Sequence, residues 1–221
     1  MNAMAPQDRV VITGMGLVSP LGSDLAGVWT RVVHGHSGIG RWNGEWGERM
    51  SGLPVALAQA YRQEPRRAIR FAWEAAGDAL KDAGLHPLHE KSIDVTRFGV
   101  AVGNSKGSVL ALEQALAAGA AGPETMSDFF HHGANDYIMR NTGICGPCVS
   151  MVSACSTGAH NIVQGLRWIK DGEADYVLAG ASESSLTPLV LGGLRRMGVL
   201  ATAARDEDPR TISRPYDLAR R

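Results

Sequence analysis

An α/β fold is expected for this chain, and three observations point to it. Short apolar runs of strand length alternate with longer segments whose apolar residues recur at helical spacing. Glycine is abundant, 27 of 221 residues, which suits tight turns and close backbone approach between layers. The length is ample for one large core or a pair of smaller ones. Together these predict an α/β sandwich.

The elements follow in order. Arg9–Gly14 has the composition of a buried strand. Ser23–Val33 reads as a short helix with Ser23 as its N-cap. His34–Arg62 scatters Gly, Trp and Pro without period and is expected to be irregular. Ala68–Ala83 is a helix, with Ile69, Ala72, Trp73, Ala76 and Leu80 on one face and Gly84 as its stop. Phe98–Val102 is a strand, Val109–Ala118 a helix and Asn135–Asn141 a short helix. Val149–Val152 is a strand, and Ser156–Lys170 a helix carrying Ile162, Val163, Leu166 and Ile169. Asp171-Gly172 makes a turn into the strand Tyr176–Ala179, and beyond Gly198 the chain becomes polar and loop-like. No internal repeat is visible.

Composition excludes several classes of function. Twenty-two basic residues balance 22 acidic ones, so no overall field draws the chain to nucleic acid or an anionic membrane. No apolar run is long enough to cross a bilayer. Residues 1–8, MNAMAPQD, lack a signal peptide's charged and apolar regions; they are expected to be a disordered N-terminus or tag remnant, with Met4 as native start. Three cysteines without a secretory signal imply reduced thiols in a cytoplasm. No metal site is expected, since Cys145 and Cys148 lack a second pair and His131-His132 is the only other dense ligand cluster.

The chemistry concentrates in Val149–Gly165, VSMVSACSTGAHNIVQG. A β-branched run ends in Ser153, Ala154 and Cys155, and a small-residue segment leads into the helix. A thiol placed where a strand turns into a helix meets the unsatisfied N–H groups and positive dipole end, which favour a thiolate. Small neighbours leave room for a carbonyl, and the same N–H groups can hold an oxyanion. This is the pattern of a nucleophilic cysteine for acyl transfer, set against the common case of a buried, inert cysteine.

Four stretches resemble the N-terminal half of a β-ketoacyl-[acyl-carrier-protein] synthase, a condensing enzyme of fatty acid and polyketide synthesis: Val10–Gly22, Val152–Ile162, Ala174–Glu183 and Ser213–Asp217. They occur in the family's order between Arg9 and the last residue. The resemblance implies a thiolase-like layered α/β/α sandwich, the first of two similar halves, over residues 9–221. It also implies that Cys155 accepts an acyl group from an acyl carrier protein. A malonyl group on a second carrier then loses carbon dioxide and attacks the acyl-cysteine. The Cys155 N–H is implied as one oxyanion donor, while a second half supplies the histidine pair, a lysine and the other donor. No cofactor is implied beyond the carrier's phosphopantetheine arm.

The resemblance places Lys106, in Gly103–Ser108, near the acyl pocket, where an apolar residue is frequent in the family. That lysine either snorkels to solvent or signals a polar or short acyl substrate. Phe129 and Phe130 are implied to line a partner's pocket across a homodimer, or a ketosynthase heterodimer, built through the edge strand Val149–Val152. The segment Phe129–Gly146 is several residues shorter than in common fatty acid synthases. Arg62, Arg66, Arg67 and Arg70, at the start of the Ala68–Ala83 helix, are implied to dock the acidic carrier protein. Cations there oppose the helix dipole, which points to a job other than helix stability.

Other motifs compete. Cys145-Gly-Pro-Cys148 has the dithiol spacing of thiol-disulfide oxidoreductases, but it leads into a strand where that motif opens a helix. Gly14-Met15-Gly16 lacks the third glycine of a dinucleotide fingerprint, GNSKGS is not a P-loop, and Ser153 replaces the glycine of a hydrolase elbow. His160, five residues past Cys155, is expected to be a packed, hydrogen-bonded histidine and not a dyad partner. A chain-length-factor-like, non-condensing subunit is the remaining alternative, and Cys155 argues against it.

Overall fold

The computed structural model describes residues 9–42, 52–201, 204 and 206–220. The expected N-terminal tail, residues 1–8, lies outside the described residues. The chain divides into two compact units, one formed by Met1–Leu17 with Pro65–Ser184, the other by Val18–Glu64 with Ser185–Arg221.

The first unit is built on the strand β3 (Phe98–Gly103), every residue of which is buried. In pairing order it lies between β4 (Cys148–Val149) and β5 (Tyr176–Ala181), both parallel to it. The pleat sorts its side chains by layer. Phe98, Val100 and Val102 pack into a core with Ala72, Ala76 and Leu80 of helix α2 (Arg67–Asp82) and with Ala134 and Ile138 of helix α5 (Gly133–Thr142). Gly99, Ala101 and Gly103 face helix α6 (Thr157–Lys170) on the other side. This is the expected α/β/α layering. Its second interface is close because it is made of small residues: a methyl on Gly99 would lie 3.2 Å from Trp168, and one on Gly165 would lie 3.0 Å from Val177. Between β3 and α5 run α3 (Val109–Ala117) and α4 (Pro123–Phe129). The Pro123–Phe129 helix falls in a stretch given no element by the sequence reading.

Helix α2 ends as its sequence prescribes. Gly84 takes φ +69°, and the Leu85 N–H returns to the Leu80 carbonyl at 2.8 Å. The turn Asp171-Gly172 closes α6 in the same way, with Glu173 N–H on the Trp168 carbonyl. Two strand expectations need correction. Residues 9–14 form no strand among the described residues; Val11 and Ile12 are 69% and 80% exposed, because their backbone has no ladder partner there. Gly14 and Gly16 instead press against the α2 backbone at Ala79 and Ala75. The strand expected at Val149–Val152 is cut to Cys148–Val149, since Met151 gives both its N–H and its carbonyl to Asn161 of α6.

Arg97 and Asp175 tie the starts of β3 and β5, at 2.6 and 2.8 Å. The hydrogen bonds from Arg97 hold the Asp175 carboxyl below the usual carboxylate range. A lowered folded-state value means stability that is present above the unfolded value and is lost as pH falls through the folded one. Asp175→Asn is therefore expected to lower stability slightly at neutral pH and to leave it nearly unchanged in acid, which flattens the acid limb of unfolding below about pH 4, as a fluorescence titration would read.

The second unit holds α1 (Leu25–Val33), the antiparallel pair β1 (Ile39–Arg41) and β2 (Pro54–Ala56), and α7 (Pro188–Arg196). Trp42, Val55, Leu57 and Leu191 form its core. Asp24, not Ser23, caps α1: its carboxylate accepts the Gly27 N–H at 2.6 Å, and a charged cap also meets the helix dipole. The stretch expected to be irregular thus contains two strands. Arg41 donates to the Gly52 carbonyl just before β2 and holds the pair to the polar C-terminal segment through the carbonyls of Ala204 and Glu207.

Candidate active site

Cys155 sits in a single 3-10 turn, Ala154–Ser156, immediately before α6. Ala154 carries φ +50°, a left-handed conformation that costs a residue with a Cβ. The turn is held by its neighbours. Thr157 Oγ1 accepts the Ser153 N–H at 3.0 Å and donates to the Ala154 carbonyl at 2.8 Å. Ser156 returns both its N–H and its hydroxyl to the Ser153 carbonyl. Cys155, at the crest, is exposed. The expected strand-to-helix placement therefore holds in outline, with a strained elbow where plain small residues were foreseen.

Asn161 anchors this elbow from beneath. Fully buried, it accepts the Met151 N–H at 3.1 Å and donates to the carbonyls of Met151 at 3.0 Å and Thr157 at 2.8 Å. Gly103 is the matching concession on β3, because a methyl there would collide with Asn161, Thr157 and the Met151 carbonyl. Asn161 is not among the residues expected from the sequence, because the apolar periodicity of α6 points to the face of Ile162, Val163 and Leu166 and away from it.

His160 is hydrogen-bonded, as expected, but it is not packed. It is exposed, and its Nδ1 meets Ser153 Oγ at 2.5 Å. Ser156 Oγ reaches the same hydroxyl at 3.1 Å.

Lys106 is half-buried and does not snorkel free. It pairs with Glu183 at 3.3 Å and hydrogen-bonds Ser105 Oγ at 3.0 Å. Phe129 ends α4 and Phe130 follows it, 51% exposed, with its ring stacked on His132 at 5.9 Å. Gly107, at φ +70°, lies directly against the Phe129 carbonyl, so the lysine loop and the phenylalanine pair are adjacent.

Of the arginines expected to dock a carrier, Arg67 does not reach the surface. Arg67 is buried, 1% exposed, and burial lowers its pKa from the usual guanidinium range. It lies on the inner face of α2 with Ala68 and Ile69, so it cannot meet a partner. Arg66 pairs with Asp128 at 3.4 Å and Arg70 with Glu74 at 3.2 Å. Arg62 belongs to the second unit, where its guanidinium covers Trp42.

Cys145 and Cys148 are free thiols. Cys148 begins β4, so no helix opens at the motif. Desolvation pushes the Cys148 thiol up, the opposite of what an attacking dithiol needs.

Residues 7–218 match the family described as beta-ketoacyl synthase, N-terminal domain. The 3-oxoacyl-[acyl-carrier-protein] synthase 2 of Coxiella burnetii is 34% identical, over 96% of this chain and 54% of that protein. The chloroplastic 3-oxoacyl-[acyl-carrier-protein] synthase I of Arabidopsis thaliana is 30% identical, over 97% and 48%. The chain thus spans about half the length of the curated relatives it matches. A type II polyketide synthase ketosynthase, solved with its acyl-carrier protein and bound to the hexaketide, is similar with a TM-score of 0.82 and 29% identity, over 96% of this chain and 54% of that one. A β-ketoacyl synthase from Burkholderia phymatum gives 0.77 and 28%, over 96% and 55%. No described helix is long and apolar enough to cross a membrane.

Proposed function

The chain belongs to the β-ketoacyl synthase family, and from that premise we propose that it is the nucleophile-bearing half of a condensing enzyme. Cys155 attacks the thioester carbonyl of an acyl carrier protein; the carbon–sulfur bond to the carrier breaks, and the phosphopantetheine thiol leaves with the proton. A malonyl carrier then loses carbon dioxide. The electron pair left on carbon attacks the acyl-cysteine, forms the new carbon–carbon bond and frees Cys155. Beyond the carrier's arm no dissociable cofactor enters, and the reaction runs in the cytoplasm. The observation that carries this reading is the exposed thiol of Cys155 at the crest of a strained turn before α6.

Residues 9–221 form the first half in this reading. Ile162, Val163 and Leu166 of α6 are 55%, 43% and 38% exposed, an apolar face suited to packing against a second half that brings the histidines for decarboxylation. The edge position of β4 supports pairing with a twin or a related subunit, which would bring Phe129 and Phe130 to the partner's pocket. The acyl pocket is assigned to Lys106, Phe129 and Phe130.

The test is acyl trapping. Incubation of the complete enzyme with an acyl carrier thioester is expected to add one acyl mass to the peptide containing Cys155 and none to those containing Cys145 or Cys148. Acylation or faster alkylation of the latter two would favour dithiol chemistry.

Carrier docking is proposed on Arg66 and Arg70 of the first unit, with Arg67 excluded by burial. Charge reversal at Arg66 and Arg70 together is expected to weaken carrier binding by roughly tenfold and to flatten its salt dependence, since two half-buried charges each contribute modestly to a steered encounter. Unchanged affinity in a titration would remove this surface.

A further inference from the structure

Lys106 belongs to a constructed polar cluster. The buried Asn104 accepts the N–H groups of Lys106 at 2.9 Å and Gly107 at 2.6 Å, which fixes the loop after β3. Gly107 seats that loop on the Phe129 carbonyl. Glu183, just past β5, takes a hydrogen bond from Ser105 Oγ and the ion pair from Lys106, and it also accepts the Ser184 N–H at 2.9 Å. The two charges are 38% and 36% exposed, and an ion pair so open to water adds little to stability. Stability therefore does not account for two loops converging on it.

The cluster stands at the same end of the sheet as the nucleophile. Gly103 lies against Thr157 and Asn161, and Ala181 lies against Gly158. Lys106 is three residues beyond Gly103, and Cys155 two before Thr157. At 3.8 Å per residue these excursions are at most about 11 Å and about 8 Å. Carboxyl ends of parallel strands are where ligands bind in such sheets.

An ammonium has three donors. Among the described residues two are taken, by Ser105 and Glu183. With Glu183 cancelling its charge, the remaining N–H suits a neutral oxygen acceptor and gives an anion little net attraction. We propose that Lys106 is a specificity-determining residue that selects acyl chains bearing a keto or hydroxyl oxygen over plain alkyl chains. This rests on the ketosynthase reading above.

The experiment follows acylation of Cys155 by intact mass, in the complete enzyme, from a saturated six-carbon pantetheine thioester and from the same chain carrying a keto oxygen at carbon 3 or carbon 5. At least one oxygenated chain is expected to react about tenfold faster than the saturated one, as a hydrogen bond from a charged donor allows. Lys106→Met should bring the ratio of the two rates, read within the same protein, to about one; Glu183→Gln, which keeps the lysine, should retain the preference. Equal rates in the unaltered enzyme, or a preference that survives Lys106→Met, overturn the proposal. The unaltered enzyme and Glu183→Gln decide the matter even if Lys106→Met does not fold. Failure of every thioester to acylate Cys155 would instead overturn the ketosynthase reading itself.

Discussion

Cys155→Ser is expected to lower condensation by about a thousandfold or more. A hydroxyl is far less ionised than a thiol at neutral pH, and no described residue is hydrogen-bonded to Cys155 in a way that would activate a serine in its place. His160 is engaged with Ser153, on the flank of the turn. The loss should fall on the rate of product formation in the complete enzyme, with the circular dichroism spectrum and melting temperature unchanged, because Cys155 is exposed and packs against little. Retained turnover would mean that the acyl group is carried elsewhere.

Asn161→Leu is expected to cost about 3–5 kcal/mol of stability. The substitution keeps the volume but removes three hydrogen bonds at once, leaving the Met151 N–H and two carbonyls without their side-chain partner in a buried place. Each such group costs about 1–3 kcal/mol. Gly103→Ala attacks the same junction from the strand and should cost about 1–3 kcal/mol through overpacking. Denaturant unfolding reads both. Because Asn161 holds Met151 and Thr157, which flank the elbow, the variant that survives should also alkylate more slowly at Cys155. Near-neutral stability for Asn161→Leu would show that the elbow does not depend on this clip.

Local regularity explains what the sequence determined. Helix α2, strand β3, helices α5 and α6 and the turns at Gly84 and Gly172 follow from periodicity and stop residues that act within a few positions. Cys155 was legible for the same reason, as a thiol set between small residues at a helix start. Two missed helices had local signals as well: Thr187 caps α7 by accepting the Val190 N–H, and Pro188 and Pro123 open their helices at the first position.

Contacts between distant segments decided the rest. Periodicity assigns Ile162, Val163 and Leu166 to the inner face of α6, yet Thr157, Asn161, Gly165 and Trp168 are the residues buried there. Glycines at 99 and 103 let the helix backbone come so close that small and polar side chains fill the gap, and the apolar face turns outward. Arg67 reads as a surface cation until α2 is seen to carry it inward, and Lys106 reads as a solvated lysine until β5 delivers Glu183 beside it. The strand expected at Val149–Val152 stops early because Asn161 takes the Met151 backbone that a ladder would have used. In each case the deciding partner lies on another element, and a one-dimensional pattern carries no information about which elements meet.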